Sequence, residues 1–155
     1  MKIKTLYNGK DYGPTCLHIE SRPVWEINNK VRKFIVKMVN VMAKENGVGI
    51  AAPQVGRNIQ ICAIIDHDEE KIKIIINPFI YFTSKGTNID EEGCLSCPGR
   101  SVNIERHNEV GVEYTGIDDM VHREVFKGLT ARIVQHELDH LNGKLIVDYE
   151  RKENG

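Results

Sequence analysis

The run His136-Glu137-Leu138-Asp139-His140 constrains this chain more than any other stretch. Residues four apart share a face on an α-helix, so both imidazoles can reach one metal ion only if the segment is helical, and the glutamate between them stays free to move protons. The same face runs back through Ile133 and Leu129, which stand seven and eleven positions before His140. A helix is therefore expected over 128–142, stopped by Asn142-Gly143. Leu129 and Ile133 would set apolar surface beside the metal, suited to an unbranched apolar side chain.

A hydrolytic metal site takes three protein ligands and keeps one position open. His136 and His140 supply two. The extended pattern H-E-x-x-H-x-x-G-x-x-H fails here, because Gly143 fits but Ile146 stands where the third histidine should be. A glutamate on a further downstream helix has little room, with fifteen residues after His140; Asp148 and Glu150 fall on what reads as a departing tail. The third ligand is expected upstream, and Cys94 in Glu92-Gly93-Cys94-Leu95-Ser96-Cys97-Pro98-Gly99 is the best candidate. Gly93 and the Pro98-Gly99 turn mark a tightly shaped loop around it. A third segment, Gly47-Val48-Gly49-Ile50-Ala51-Ala52-Pro53-Gln54, is small enough for backbone to approach a ligand closely, and Gln54 offers a side-chain N–H donor. A thiolate with two imidazoles suits Fe(II), Zn(II), Co(II) or Ni(II), not Mg or Ca. Such an ion lowers the pKa of its water. Glu137 then takes the role of general base, followed by general acid toward a departing amine.

Together the three segments, G-x-G-x-A-A-x-Q at Gly47 to Gln54, E-G-C-L-S at Glu92 to Ser96 and Q-H-E-x-D-H at Gln135 to His140, resemble peptide deformylase in order and approximate spacing. The likeness covers about 45–148. It implies a metal-dependent hydrolase that removes formyl from the N-terminal formyl-methionine of nascent polypeptides and releases formate. It implies that Cys94, His136 and His140 bind one divalent metal, Fe(II) physiologically, with Zn(II), Ni(II) or Co(II) able to substitute. The oxyanion donors it implies are the Gln54 amide and the backbone N–H of Leu95. Val48 and Gly49 resemble the segment that lines the site and pairs with the substrate backbone. A bacterial, cytoplasmic, monomeric enzyme is implied, with room for transient ribosome contact.

The whole chain, 155 residues, is expected to form one catalytic domain, 1–155. With 21 Lys and Arg against 22 Asp and Glu, net −1, there is no electrostatic case for nucleic acid. No run approaches membrane-spanning length, and the first residues do not continue into an apolar signal region. The four cysteines lack the spacing of a disulfide framework and fit a reducing compartment.

Residues 1–22 read as irregular, with the stretch Tyr12 to Cys16 departing from the usual opening of the resembled family. The stripe Ile27, Val31, Phe34, Ile35, Met38 and Met42 predicts a helix over 25–45, with Trp25 at its start and packed, and Asn46-Gly47 as its stop. Strands are expected at 59–66, 71–77, 80–83, 101–106, 109–114 and 121–126, the first two as a hairpin around 67–70. The fold class is α+β: antiparallel β-sheets packed around a central metal-binding helix, with an N-terminal helix.

Blander readings stand beside these. Cys94 and Cys97 form C-x-x-C, which without a second such pair makes Cys97 a small packed residue near the site. Cys16 and Cys62 read as buried free thiols. His18, His67, His107 and His122 read as surface or turn residues. Glu92 could pair with Arg106 and hold the Cys94 loop, and Asp139 could orient a ligand histidine or face solvent. The rival functions are a zinc peptidase and a non-catalytic metal- or peptide-binding module.

Overall fold

The computed structural model describes residues 1–7, 10–11 and 16–153, with backbone alone at 7, 10, 11 and 151–153. The stretch 12–15, where the sequence departs from its resembled family, lies outside the described residues. Nine strands and three α-helices are seen among those described. Short strands β1 (Leu6–Tyr7) and β2 (Lys10–Asp11) pair near the start. Helix α1 (Asn29–Lys44) and strand β3 (Gly49–Ala51) follow. The strands β4 (Ile61–Asp66), β5 (Lys71–Thr83), β6 (Thr87–Glu92), β7 (Val102–His107), β8 (Glu109–Thr115) and β9 (Val121–Lys127) come next, then α2 (Gly128–Leu141) and α3 (Ile146–Glu153).

All pairings within the named sheets are antiparallel. β3-β4-β5-β8-β9 form a five-stranded sheet, and β6 pairs with β7 in a separate ribbon. The predicted hairpin forms, with Asp66 opposite Lys71. Strand β4 shows why the sheet is central: Cys62 and Ile64 face one apolar cluster, Ile61 and Ala63 another. Alternating side chains point to opposite faces, so a strand apolar at both sets of positions must be covered on both sides. Helix α2 covers one face through Ala131, Ile133, Val134, Leu138 and Leu141. Helix α1 covers the other through Val31, Phe34, Ile35, Met38 and Met42. A third cluster joins Val102 and Ile104 of β7 to Leu145, Ile146 and Val147 at the start of α3, with Leu6, Leu17 and Cys97. Helix α2 thus lies between the five-stranded sheet and the β6–β7 ribbon, and the expected α+β class is what forms.

Several boundaries differ from the sequence reading, each for a local reason. Helix α1 starts four residues later than predicted, because the Asn28 side chain accepts the Val31 N–H at 3.1 Å and caps it there. Trp25 is therefore outside the helix and 92% exposed, not packed. The two strands predicted at 71–77 and 80–83 are one strand with register shifts against β8. Asn77, at φ +52°, takes the irregularity, and its side chain exchanges two 2.8 Å hydrogen bonds with the backbone of Val24. The tail after residue 145 is not a loose departure but the helix α3. Residues 87–92, given no element in the sequence reading, form β6, a strand whose first five residues are all exposed.

Candidate metal centre and active site

Helix α2 carries both histidines into the interior: His140 is 1% exposed and His136 sits at the floor of a cavity of about 660 Å³. Cys94 reaches the same point from the turn after β6. One donor atom from each of Cys94, His136 and His140 lies within 4.8 Å of the other two. Cys94 Sγ stands 3.4 Å from His140 Nε2. With metal–sulfur and metal–nitrogen bonds of ordinary length, a tetrahedral ion holds such a pair about 3.5 Å apart. The two imidazole rings meet edge to face at 5.0 Å.

His136 has its other nitrogen committed. Nδ1 is 2.8 Å from Glu92 Oε1, which fixes the ring and leaves Nε2 for the ion. Glu92 is itself clamped. Arg106 donates to both of its oxygens at 2.9 Å, and Arg132 Nη1 donates to Oε2 at 2.5 Å. Burial pushes the Glu92 carboxyl up, but Arg106 and His136 outweigh that and hold it at about 2. Burial likewise works against a charge on His136, and the Glu92 hydrogen bond overcomes it and raises the imidazole. His140, buried without a carboxylate partner, is pushed well below the ordinary histidine value. A neutral imidazole is what a metal requires.

Glu137 Oε2 is buried beside these donors with no hydrogen-bond partner among the described residues, as a carboxylate that serves a bound water would be; His140 Nδ1 is also unpartnered, on the ring edge away from Cys94. Burial drives the Glu137 carboxyl up to about 7, with nearby Glu92 adding to the rise. The Cys97 thiol and burial together raise the Cys94 thiol, a shift that a bound cation would reverse. A soft anionic donor, two imidazoles and a carboxylate held just beyond them fit a divalent transition metal.

Gly49 and Gln54 complete the wall. A Cβ at Gly49 would sit 2.4 Å from Glu137 Oε1, so only glycine lets the β3 backbone lie against that carboxylate. The Gln54 amide has a fixed orientation. Its oxygen accepts the Ala51 N–H at 2.9 Å, which turns its NH₂ toward Ser96 Oγ at 3.2 Å and Cys94 Sγ at 3.7 Å. Leu95 follows Cys94 in the turn and lines the cavity, as do Val48, Leu129 and Ile133. Val48 and Leu129 are exposed at its mouth, and Ile133 is buried deeper. The structure therefore brings every sequence-selected site residue to one place.

Asp139 is corrected. It touches neither histidine but accepts from Arg106 Nη1 and from the Tyr149 hydroxyl, both at 2.6 Å. The carboxylate on His136 is Glu92. Arg132, Ser96 and Tyr149 were not singled out from sequence. Arg132 stands within the apolar stripe of α2, where nothing local announces its partners: Glu92, the Ile104 carbonyl and the Asn88 side chain. Cys97 is a buried, packed thiol as expected, and Cys62 likewise, whereas Cys16 is only half-buried.

Residues 8–154 match the sequence model of the family described as polypeptide deformylase. The peptide deformylase of Dictyoglomus thermophilum is 40% identical over 136 residues, 88% of this chain and 87% of the relative. The crystal structure of peptide deformylase from Thermotoga maritima superposes with a TM-score of 0.86 at 34% identity, covering 96% of each chain. That of the Synechococcus elongatus enzyme, determined with actinonin, gives 0.86 at 36% identity over 96% of this chain and 77% of that one.

Proposed function

This chain belongs to the polypeptide deformylase family, and from that premise we propose which of its residues perform the reaction. The family removes the formyl group from N-terminal formyl-methionine, is metal-dependent, and acts on nascent peptides; this chain is a hydrolase of that kind. In our reading Cys94, His136 and His140 hold one divalent metal, with Fe(II) the physiological ion and Zn(II), Ni(II) or Co(II) substituting. The ion, when bound, polarises the formyl carbonyl and activates water near neutral pH.

The observation that carries the reading is the convergence of those three donors, with Cys94, His136, Glu137 and Gln54 lining one cavity and His140 buried behind them. Glu137 takes a proton from the attacking water and passes it to the methionine nitrogen as the C–N bond breaks, so that formate and a free amine leave. Its burial suits a group that must accept and then release a proton close to neutrality. The Gln54 NH₂ and the Leu95 N–H donate to the oxyanion as charge develops. Ile133 and Leu129 receive the methionine side chain. Val48 and Gly49 bind substrate backbone along β3, which ends its sheet and so has one edge without a strand partner among the described residues.

We place 1–155 as one catalytic unit, a monomer working in a bacterial cytoplasm with transient ribosome contact. No described helix is long and apolar enough to cross a membrane. The test is formate release from a formyl-Met peptide by anaerobically purified, Fe(II)-loaded protein, beside the acetylated peptide and the Glu137→Ala variant. Turnover of the formyl peptide alone, reduced by about 10²-fold or more in the variant, is expected. Full activity in Glu137→Ala would remove the proton-transfer role, and cleavage of an internal peptide bond would point to a peptidase.

A further inference from the structure

Cys97 has no part in that chemistry, yet it is placed where it can alter it. Cys94 and Cys97 are the first and fourth residues of a turn closed by Cys97 N–H donating to the Cys94 carbonyl at 3.0 Å. A turn of this kind keeps its end Cα atoms under about 7 Å apart, and disulfides span about 4.4–6.8 Å. The turn is anchored at its centre, since Leu6 N–H donates to the Ser96 carbonyl at 2.8 Å and the Ser96 hydroxyl is tied to Gln54. Both cysteines border the cavity. Cys97 is nevertheless 2% exposed, its other contacts being the apolar cluster of Leu17, Val102 and Ile104. Solvent species therefore meet Cys94 first, and Cys97 lies behind it.

We infer that Cys97 is a resolving cysteine: peroxide oxidation of Cys94 ends in a Cys94–Cys97 disulfide that abolishes the metal site and is reopened by thiol reduction. The inference rests on Cys94 being a metal ligand. In the first step the Cys94 thiolate attacks the O–O bond of hydrogen peroxide; an S–O bond forms, hydroxide leaves, and the sulfur is oxidised by two electrons to sulfenic acid. In the second, Cys97 sulfur attacks Cys94 sulfur; the S–S bond forms, the S–O bond breaks, and the departing hydroxide takes the Cys97 proton to leave as water. In the product Cys94 Sγ, which stands 3.4 Å from His140 Nε2, is a neutral disulfide sulfur in place of an anionic donor, so the ion loses its thiolate. Without a second thiol in reach, sulfenic acid goes on to sulfinic and sulfonic acids, which thiols do not reverse. A loop of four residues gains little from closure, so the bond should be readily reducible.

The experiment treats metal-loaded protein with a small excess of hydrogen peroxide, then follows three readouts: released metal, the mass of the peptide holding both cysteines, and turnover after dithiothreitol and fresh metal. Wild type should release its ion, show a peptide lighter by two hydrogens, and regain most of its own starting turnover. Cys97→Ala should release the ion but gain two or three oxygens at Cys94 and recover several-fold less of its own starting turnover. Sulfinic or sulfonic acid at Cys94 in wild type with Cys97 still alkylatable, or equal recovery in both proteins, would overturn the inference. A disulfide formed with the ion retained would support the resolving role while overturning the assignment of Cys94 as ligand.

Discussion

Two buried ion clusters lie at different places in this molecule and are built on opposite plans. Behind the candidate metal centre, one carboxylate, Glu92, receives two guanidiniums and an imidazole, with Asp139 and Tyr149 balancing Arg106 from outside. At the β4–β5 hairpin, one ammonium, Lys73, receives carboxylates from Asp66 at 2.8 Å, Glu124 at 2.9 Å and Glu69 at 3.2 Å. Lys73 and Glu92 are both nearly closed off from solvent. The difference is in what each cluster touches next. Glu92 ends on a metal-ligand candidate, whereas the Lys73 group ends on turn backbone, Asp66 Oδ1 accepting the N–H of Asp68 and Glu69. Burying charge is expensive unless every partner is in place; here the first cluster converts that cost into a fixed imidazole, and the second into a fixed hairpin.

The contrast breaks most sharply at Glu92. Glu92→Gln keeps the shape but puts an NH₂ among donors and leaves two guanidiniums with too few acceptors. A stability loss of about 3–5 kcal/mol is expected, together with a metal affinity lower by about 10–100-fold. Denaturant titration and competitive chelation measure the two. Unchanged affinity in a destabilised variant would reduce Glu92 to scaffolding and erase the distinction between the clusters.

Lys73→Met should fall next in size, at about 1–3 kcal/mol, because exposed Glu69 and half-exposed Glu124 can turn to water and only Asp66 stays stranded. Turnover and KM should not move. The pH dependence carries its own signature. Burial raises the Asp66 carboxyl, but Lys73 and the two backbone N–H groups outweigh it and hold it below the ordinary value. A depressed folded-state pKa gives stability that is complete above the unfolded carboxylate value and lost as pH falls through the folded one. Removing Lys73 takes away part of that depression, so the acid limb of stability against pH should become shallower in the variant. An altered KM would show that the hairpin communicates with the site.

The sequence made one of these clusters partly readable and hid the other. His136, His140 and Glu137 are legible because helical spacing is local, and Cys94 and Gln54 because glycines and a Pro-Gly turn flag backbone that must bend tightly. Glu92 with Arg106 could be suggested by their short separation. Arg132 could not: it occupies a buried position on α2, and its partners lie 28 to 44 residues away. The Lys73 cluster was invisible for a related reason, since Glu124 arrives from β9, 51 residues on. Strand β6 escaped because Thr87 to Glu91 are exposed and offer no apolar alternation. Strand β3 escaped because three residues carry no period at all. Asp139, which could have oriented a histidine or faced solvent, does neither, because adjacency to His140 in sequence places it on another side of the helix, facing Arg106.

The smallest effect should come at the rim of the Glu92 cluster, and it decides how far the cluster's influence extends. The Tyr149 hydroxyl donates to Asp139 at 2.6 Å and accepts from Arg106 at 2.9 Å, while its ring lies 5.1 Å from the Arg106 guanidinium carbon. Tyr149→Phe removes both hydrogen bonds and keeps the ring contact. Arg106 retains its two bonds to Glu92 and its pair with Asp139, so the imidazole of His136 should not shift. The expected cost is about 1 kcal/mol or less, with metal affinity and turnover within about two-fold of the parent protein. A ten-fold fall in metal affinity would instead mean that α3, through Tyr149, sets the angle at which Arg106 meets Glu92, and that the functional cluster reaches all the way to the last helix.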